Sequence, residues 1–552
     1  MLTQIKDAAN RITKFTVTNG QLVQVTNPDG TNNSYSYASN AIDKVTDSKG
    51  YTLDFDYKSP GMRVSSVLEN GNSKIGQKIG FSYKEYNTTK ITTSGIDNKY
   101  GSNDDIITTY QFDDYGRLVS TQAKSNGKQL ASSLNTFTSM SASAENIKKI
   151  NNVTSNYGLG ANVVNLLKNH NVEKESDWTL FKSGTSSESV GYSDAYHYFG
   201  NKSLKIGVSS ATGGSVVRYR QMLTNEVLVP GKTYTFSGYI KTVGLDPLEK
   251  GKYGAALLVY SYYDDGRSAK SFYSDFISST NDVNINDGWR KQSVTFTVPT
   301  DASRTSVNLI VKDANGAAYF DALQLEAGNV ANEYNLLENA GFEDATNLYG
   351  YTANNLNSGT DLTTTASYLD GKQSFKITGD KKALKSISQE VIVSGSENDT
   401  YIISGWTKAY AVPAFIKDTS SDIDRKYKIS IKVTYTDGTY VWKDAVNFNM
   451  DVVGWQYGAV AIDLSDVTSA VKTPAKLTIY PRYDYQANTV YFDNLSIVKA
   501  NVTNYSYDTN GNLTSAVSNA EQSTSLGYDK NDLTSVTDAK GNTVHTVYDE
   551  DY

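Results

Sequence analysis

Two internal repeats of different length constrain this chain more than anything else in it. The shorter has a period of about twenty residues: Leu22 is matched by Ile42, Val25 by Val45, Gly30 by Gly50, Tyr35 by Phe55 and Tyr37 by Tyr57. It returns near the far end, where Leu513 is matched by Leu533 and where Tyr507, Tyr528 and Tyr548 recur at nearly the same interval. Within one unit, "YSYDTNGNL" reads as a strand with Tyr505 and Tyr507 on one face, an Asn510-Gly511 hairpin turn and the start of a second strand. A lone two-stranded hairpin is marginal in water, so such units are stable only when stacked on neighbours.

The longer repeat has an offset of about 170 residues. "NLLKNHNVE" from Asn165 is echoed by "NLLENAGFE" from Asn335, "GNKSLKI" from Gly200 by "GKQSFKI" from Gly371, and "YTFSGYIK" from Tyr234 by "YIISGWTK" from Tyr401. Gly288-Trp289 returns as Gly454-Trp455, and "AYFDALQLEAG" returns as "VYFDNLSIVKA". The landmarks keep their order, which is the mark of a duplicated domain. Each copy is a run of short alternating strands separated by turn signals, among them Asp265-Gly266 and Asp437-Gly438, and neither offers a long amphipathic helix. The expected fold is all-β: a hairpin stack flanking two tandem β-sandwiches of the jelly-roll kind.

The hairpin series stops after "RLVSTQAKSNGKQ", and the strand that should come next appears only at "TNYSYD", beyond both long repeats. The expected organisation is therefore hairpin repeats at 1–130, a connector at 131–161, sandwiches at 162–330 and 331–500, and hairpin repeats again at 501–552. An insertion of this kind is tolerated at an exposed turn when the guest's two ends can meet the host's.

Composition excludes several classes of function. The formal net charge of −7 argues against nucleic acid, whose phosphates require clustered lysine and arginine. The absence of cysteine removes disulfides, thiolate nucleophiles and cysteine metal sites together. No window approaches the roughly eighteen continuous apolar residues of a membrane span, so no membrane insertion is expected. "MLTQIKDAAN" lacks the regions of a signal peptide, but Met1 can simply start a fragment, so this does not place the chain in a cytoplasm. Of the three histidines, His170 and His197 fall in the first sandwich and His545 in the closing hairpins, and they make no evident triad or zinc site. His170 stands where the second copy has Ala340, which suggests a loop or solvent position. Glycoside hydrolysis needs two carboxyls held across a cleft, and no pattern singles out Asp264, Asp265 or Glu390 for it.

Tyr-Asp, Gly-x-Leu and the following "TDSKGYT" or "TDAKGNT" resemble the YD repeats of the RHS-repeat family. That family includes bacterial wall-associated proteins and toxin-delivery shells. The sandwich landmarks, "NAGFE" from Asn339 and "YFDNL" from Tyr491 above all, resemble carbohydrate-binding-module jelly rolls of the type attached to xylanases and cellulases. That resemblance implies a structural calcium in each module, held by Glu173 with Asp321 and by Glu343 with Asp493, against the plainer alternative of carboxylates accepting backbone N–H bonds.

Sugar C–H faces stack on exposed aromatic rings, which makes Trp178, Tyr192, Tyr196, Tyr260 and Tyr262 the candidates in the first module. Tyr351, Tyr440, Trp442 and Tyr483 are those of the second, and the competing expectation for each is ordinary half-buried sheet surface. The function these features imply is non-catalytic: a secreted or wall-associated bacterial surface protein that holds wall or environmental polysaccharide, with the YD part as scaffold and the rest of a longer RHS protein as partner. A structural spacer in a toxin-delivery shell and a jelly-roll hydrolase or lyase are the alternatives.

Overall fold

The computed structural model describes residues 2–58, 62–71, 74–95, 99–102, 105–113, 115–125, 128–137, 153–158, 164–184, 187–249, 251–279, 288–344, 348–369, 371–393, 395–397, 399–409, 425–450, 452, 454–465, 471–518 and 523–548. Among them every helix- or strand-length element is a β-strand. The chain divides into two compact units, 1–130 and 131–552.

In the first unit an antiparallel meander runs from Gln4–Lys6 to Leu118–Ser125, each strand paired with the next. The recurring residues have specific tasks. Asp47 Oδ1 accepts the backbone N–H groups of Lys49 and Tyr51 at 2.9 and 2.8 Å, so the carboxylate seats the turn, while Gly50 takes the left-handed φ of 84° that the turn requires. The period itself is held by tyrosine: Tyr37 donates its O–H to the Leu22 carbonyl at 2.8 Å and Tyr57 to Ile42 at 2.7 Å. Each unit is thereby tied to the one before it.

The same devices recur in the second unit. Asp508 and Asp538 cap their turns on Asn510 and Asn512, and on Lys540 and Asn542, and Tyr548 donates to the Leu533 carbonyl at 3.0 Å. The turn at 508–512 is wider than the two-residue Asn-Gly hairpin expected, with Tyr507 facing Leu513, because the Asp508 side chain organises a longer loop.

Val153–Gly158 pairs on one side with Lys128–Phe137 and on the other with Asn501–Tyr507, in the register Ser155 to Asn504 and Gly158 to Asn501. The polypeptide leaves this sheet after Gly158 and rejoins it on the adjacent strand at Asn501. The stretch 131–161, expected as a connector, therefore supplies ladder strands at both of its described parts. Leu134, Ala500 and Val502 bury a small core against Ile402 of the second sandwich, which anchors the sheet to its guest.

Both guests have the same strand order. In the first, the front sheet runs Thr179–Ser183, Val216–Leu223, Arg304–Lys312, Gly254–Tyr262, Lys270–Tyr273, and the back sheet runs Ser187–Ser193, Ser203–Ser209, Ala314–Ala327, Thr233–Pro247, Trp289–Thr297. In the second, the front sheet runs Thr352–Asn354, Ser386–Ile392, Pro474–Asp484, Lys426–Tyr435, Tyr440–Asn447. Its back sheet runs Leu362–Thr364, Ser374–Thr378, Thr489–Lys499, Thr400–Ala409, Gly454–Asp463. Alternate residues of the facing sheets fill each interior, with Phe236, Phe320 and Leu257 in one and Phe375, Phe492 and Ile431 in the other. Burying a side chain of this size contributes about 1.5–3 kcal/mol.

The landmark "NLL" closes each jelly roll. Asn165 donates Nδ2–H to the Leu323 carbonyl and accepts from the Leu167 and Leu325 N–H groups. Asn335 does the same with Leu495, Leu337 and Ile497. The first residues of each domain are thus bonded to its last strand.

His170 lies in the joint between the two sandwiches, fully buried, contrary to the loop or solvent position expected. Its Nδ1 is 2.5 Å from the Tyr334 hydroxyl and its Nε2 is 3.1 Å from the Leu337 carbonyl. Glu338 accepts the backbone N–H groups of Asn169 and His170, Phe199 stacks on Tyr334, and Lys168 pairs with Asp344 at 2.6 Å. Both ring nitrogens of His170 and both carboxylate oxygens of Glu338 thus have partners in this joint.

Replacing Asn335 by Ala leaves three buried backbone groups without partners, at about 1–3 kcal/mol each. The expected result is a loss of about 3 kcal/mol or more in urea denaturation followed by circular dichroism, against under about 0.5 kcal/mol for an exposed control such as Asn357→Ala without a role in closure.

Candidate functional site

The front sheets turn one face to the core and the other outward, and the outward faces carry exposed aromatic rings beside guanidinium groups. In the first sandwich Val217, Tyr219, Leu257, Val259, Val307 and Leu309 point into the core. The alternation then puts Arg218, Arg220, Leu258, Tyr260, Ser306 and Asn308 on the opposite face. Ala256, Leu258 and Ile310 form its apolar floor, with Tyr260 and Phe276 packed against them. Phe181 rises at one edge and Tyr273 at the other, both about two-fifths exposed. The Arg218 guanidinium lies 4.2 Å from the Phe181 ring centre and 4.9 Å from that of Tyr260, a cation held between two aromatic faces. Burial and the neighbouring Tyr260 push the Tyr273 phenol up to about 12.

The equivalent face of the second sandwich is more exposed. Tyr440 and Trp442 are 61% and 46% accessible, Tyr480 lies 5.0 Å from the Trp442 ring, and the Arg482 guanidinium sits 5.9 Å over it. Lys432 lies 5.6 Å from the Tyr440 ring centre.

Of the aromatic residues expected to form sugar platforms, Tyr260 and Tyr262 lie together on the first outward face, 6.0 Å apart, and Tyr440 and Trp442 lie on the second. Tyr196 is exposed but lies over the back sheet, edge-on to Tyr319 and under Lys241. Tyr192 packs against the core and donates its O–H to the Ser176 carbonyl, and burial pushes its phenol up to about 12. Trp178, Tyr351 and Tyr483 are corrections. Trp178 is buried in the first core with Nε1–H donated to the Asn169 carbonyl, and Tyr351 and Tyr483 belong to the second core. None of the three presents a ring face to solvent. The residues missed are Phe181, Arg218, Arg220 and Asn308 in the first sandwich and Tyr480 and Arg482 in the second. Strand alternation counted outward from the core positions is the signal that finds them.

The four bracket carboxylates hold matching loops. Glu173 Oε1 accepts N–H from Asn201 and Lys202, and Glu343 accepts from Lys372 and Gln373. A Cβ at Gly200 or Gly371 would collide with the respective glutamate, so only glycine lets the loop approach this closely. Asp321 accepts from Tyr198, Phe199 and Ala322, and Asp493 accepts from Leu369 and Asn494. These are the backbone-acceptor roles of the plainer alternative. Complete burial nonetheless drives the Asp321 carboxyl well above its ordinary range, and the Glu173 charge adds to the rise. Among the described residues no cluster of three or more acidic, histidine or cysteine side chains gathers. A cation here would rest on two carboxylates and backbone oxygens.

Residues 164–316 match the family model of a carbohydrate binding domain, and residues 507–543 match that of the RHS repeat. The chain is 27% identical over 398 residues to the tRNA nuclease WapA of Bacillus subtilis (strain 168), a match covering 69% of this chain and 16% of that protein. It is equally identical over the same length to the tRNA(Glu)-specific nuclease WapA of Bacillus subtilis subsp. natto (strain BEST195), covering 15% of it. The chain thus spans about one sixth of the length of these relatives. Among solved structures, the CBM22-1–CBM22-2 tandem of Paenibacillus barcinonensis Xyn10C matches 61% of this chain and 98% of its own at 16% identity and a TM-score of 0.23. TmCBM61 in complex with β-1,4-galactotriose matches 30% of this chain and 99% of its own at 14% identity and a TM-score of 0.21.

Because the folded pKa of Asp321 lies above its unfolded value, its contribution to stability is full below about pH 3.8 and is lost as pH rises through the folded value. Glu326 and Asp484 are raised by burial in the same direction. In chelated buffer the melting temperature is expected to rise as pH falls from 7 towards about 5, and Asp321→Asn is expected to flatten that slope. An unchanged slope in the variant would clear Asp321 of this cost.

Proposed function

We propose that the tandem sandwiches bind polysaccharide without transforming it, on the two outward front faces, and that the RHS hairpins serve as their scaffold on an extracellular or cell-surface protein. One observation carries this reading: a duplicated fold places solvent-facing aromatic rings beside guanidinium groups on the same sheet of both copies. Rings of this kind accept the C–H faces of sugars, and flanking donors and acceptors orient the hydroxyls. Glycan binding by a chain that combines RHS repeats with a carbohydrate-binding-domain match is a coherent pairing of surface recognition with an extended β scaffold.

The relatives' name favours a setting for this activity. We infer that the chain corresponds to a surface-engaging stretch of a longer toxin-delivering protein, whose nuclease activity would reside outside it. In the same reading, Glu173 with Asp321 and Glu343 with Asp493 would hold a structural calcium in each sandwich. In the first sandwich the ion would neutralise the Asp321 carboxylate, which burial and the Glu173 charge make costly, and in both it would supply rigidity rather than chemistry.

The test is a glycan array followed by affinity electrophoresis of the whole chain, with and without calcium. Tyr260→Ala and Trp442→Ala are each expected to weaken retention about three- to tenfold, the scale of one aromatic contact, with melting temperature unchanged. Undiminished binding by the double variant would remove the front faces from the proposal. Release of reducing ends from the bound polymer would overturn its non-catalytic part.

A further inference from the structure

The two front faces share a fold and differ in charge. In the second sandwich Arg482 donates Nε–H to Asp484 at 2.7 Å and Lys476 Nζ is 2.7 Å from Glu390, so its guanidinium already has a counter-charge, while the ammonium of Lys432 lies over the Tyr440 ring. In the first, Arg218 and Arg220 stand on one strand and one face, and among the described residues neither is paired with a carboxylate. The Nε of each is buried without a hydrogen-bond partner, and Arg218 as a whole is only 8% exposed. The flanking rings hold the guanidiniums in place: Phe181 lies 4.2 Å from Arg218 and 5.6 Å from Arg220, and Tyr260 lies 4.9 Å from Arg218. A ring quadrupole compensates a buried cation only in part, and a guanidinium cannot shed its charge by deprotonation. Asn308, paired with Arg220 in the ladder, adds a buried Oδ1 that accepts no hydrogen bond.

Resting on the carbohydrate-binding reading, the geometry points to an anionic glycan as the ligand of the first sandwich. A carboxylate or phosphate on the polymer supplies the oxyanion that no described residue gives Arg218 and Arg220, and the sugar ring lies on Tyr260. Guanidinium groups suit this role because their N–H groups match the spacing of oxyanion oxygens. The second sandwich pairs its own guanidinium with Asp484, so the oxyanion-accepting fork is a property of the first copy.

The experiment titrates the whole chain with polygalacturonate, with its methyl ester and with poly(glycerol phosphate), at low and at physiological salt. Tighter binding of one or both acidic polymers than of the ester, about tenfold or more for a charge-assisted pair, is expected, with the preference weakening as salt rises. Whichever acid is preferred identifies the oxyanion. Arg220→Gln is expected to reduce acid binding to the level of the ester, and Arg218→Lys to retain part of it because the charge survives while the fork is lost. Melting temperatures report whether each variant folds, and Trp442→Ala is expected to leave the acid preference intact. Equal binding of ester and acid, lost together in Tyr260→Ala, would overturn the anionic assignment and leave carbohydrate binding standing. Lower melting temperatures with undiminished acid binding in both arginine variants would reduce the pair to a structural clasp. Failure of every polymer and of the glycan array would sink both readings.

Discussion

The ladder between Val153–Gly158 and Asn501–Tyr507 is the constraint on which the rest of the second unit depends. Neighbouring strands lie about 4.8 Å apart, so an insert of more than three hundred residues must begin and end within one strand spacing. Each jelly roll meets part of that requirement alone, because Asn165 and Asn335 bond the first residues of their domains to the last strand. The joint meets the remainder. Val164, at the entrance, lies against Gly341 of the second sandwich, and Ala500, at the exit, belongs to the small core shared with Ile402 of that domain. Entrance and exit are thus both held by the second sandwich, and the first is reached as an excursion from it.

That arrangement makes the joint more than a linker. A flexible hinge between the sandwiches would let the entrance drift from the exit, and the host ladder would lose its register. The burial of His170 among Tyr334, Leu337 and Glu338 prevents this by satisfying both ring nitrogens and two backbone donors at once. The second copy has Ala340 at the matching position, also buried, but it packs within its own domain core. The backbone carbonyl at this position accepts from the last strand in both copies, Leu323 N–H to His170 and Leu495 N–H to Ala340, and in the first copy the side chain docks the domains as well.

The all-β architecture and the duplication were legible because alternation and repeated landmarks survive in the residues themselves. "NLL", "YFD" and the glycines at 200 and 371 mark the positions where the jelly roll closes on itself. The outward faces were not legible by residue type. A strand reverses its side chains at every step, so aromatic identity says nothing about direction until one core position is fixed. Trp178 and Phe181 stand three residues apart, yet the tryptophan enters the core and the phenylalanine faces outward. Tyr483 and Tyr480 divide the same way on one strand of the second sandwich. His170 was misplaced because comparison with its counterpart could not foresee a contact made only between the copies, and 131–161 was read as a connector because it lacks the Tyr-Asp signature of the units it extends.

The same logic explains why a face free to vary is found on the guests and not on the hairpins. In the hairpins the recurring side chains are committed to the architecture: aspartates such as Asp47 and Asp508 seat turns, and tyrosines such as Tyr37, Tyr57 and Tyr548 bind the carbonyl of the preceding unit. Changing one of them to suit a ligand would cost the repeat its period. A jelly roll separates the two demands. Its inward face and closing residues hold the fold, while its outward face is free to vary. The copies show that division directly. Leu257 and Ile431 occupy the two cores, while Arg218 and Arg220 face outward from one strand and Ser388 and Glu390 from its counterpart. Divergence of charge on a retained core is the expected course of a duplication whose surface, not whose interior, is under functional demand.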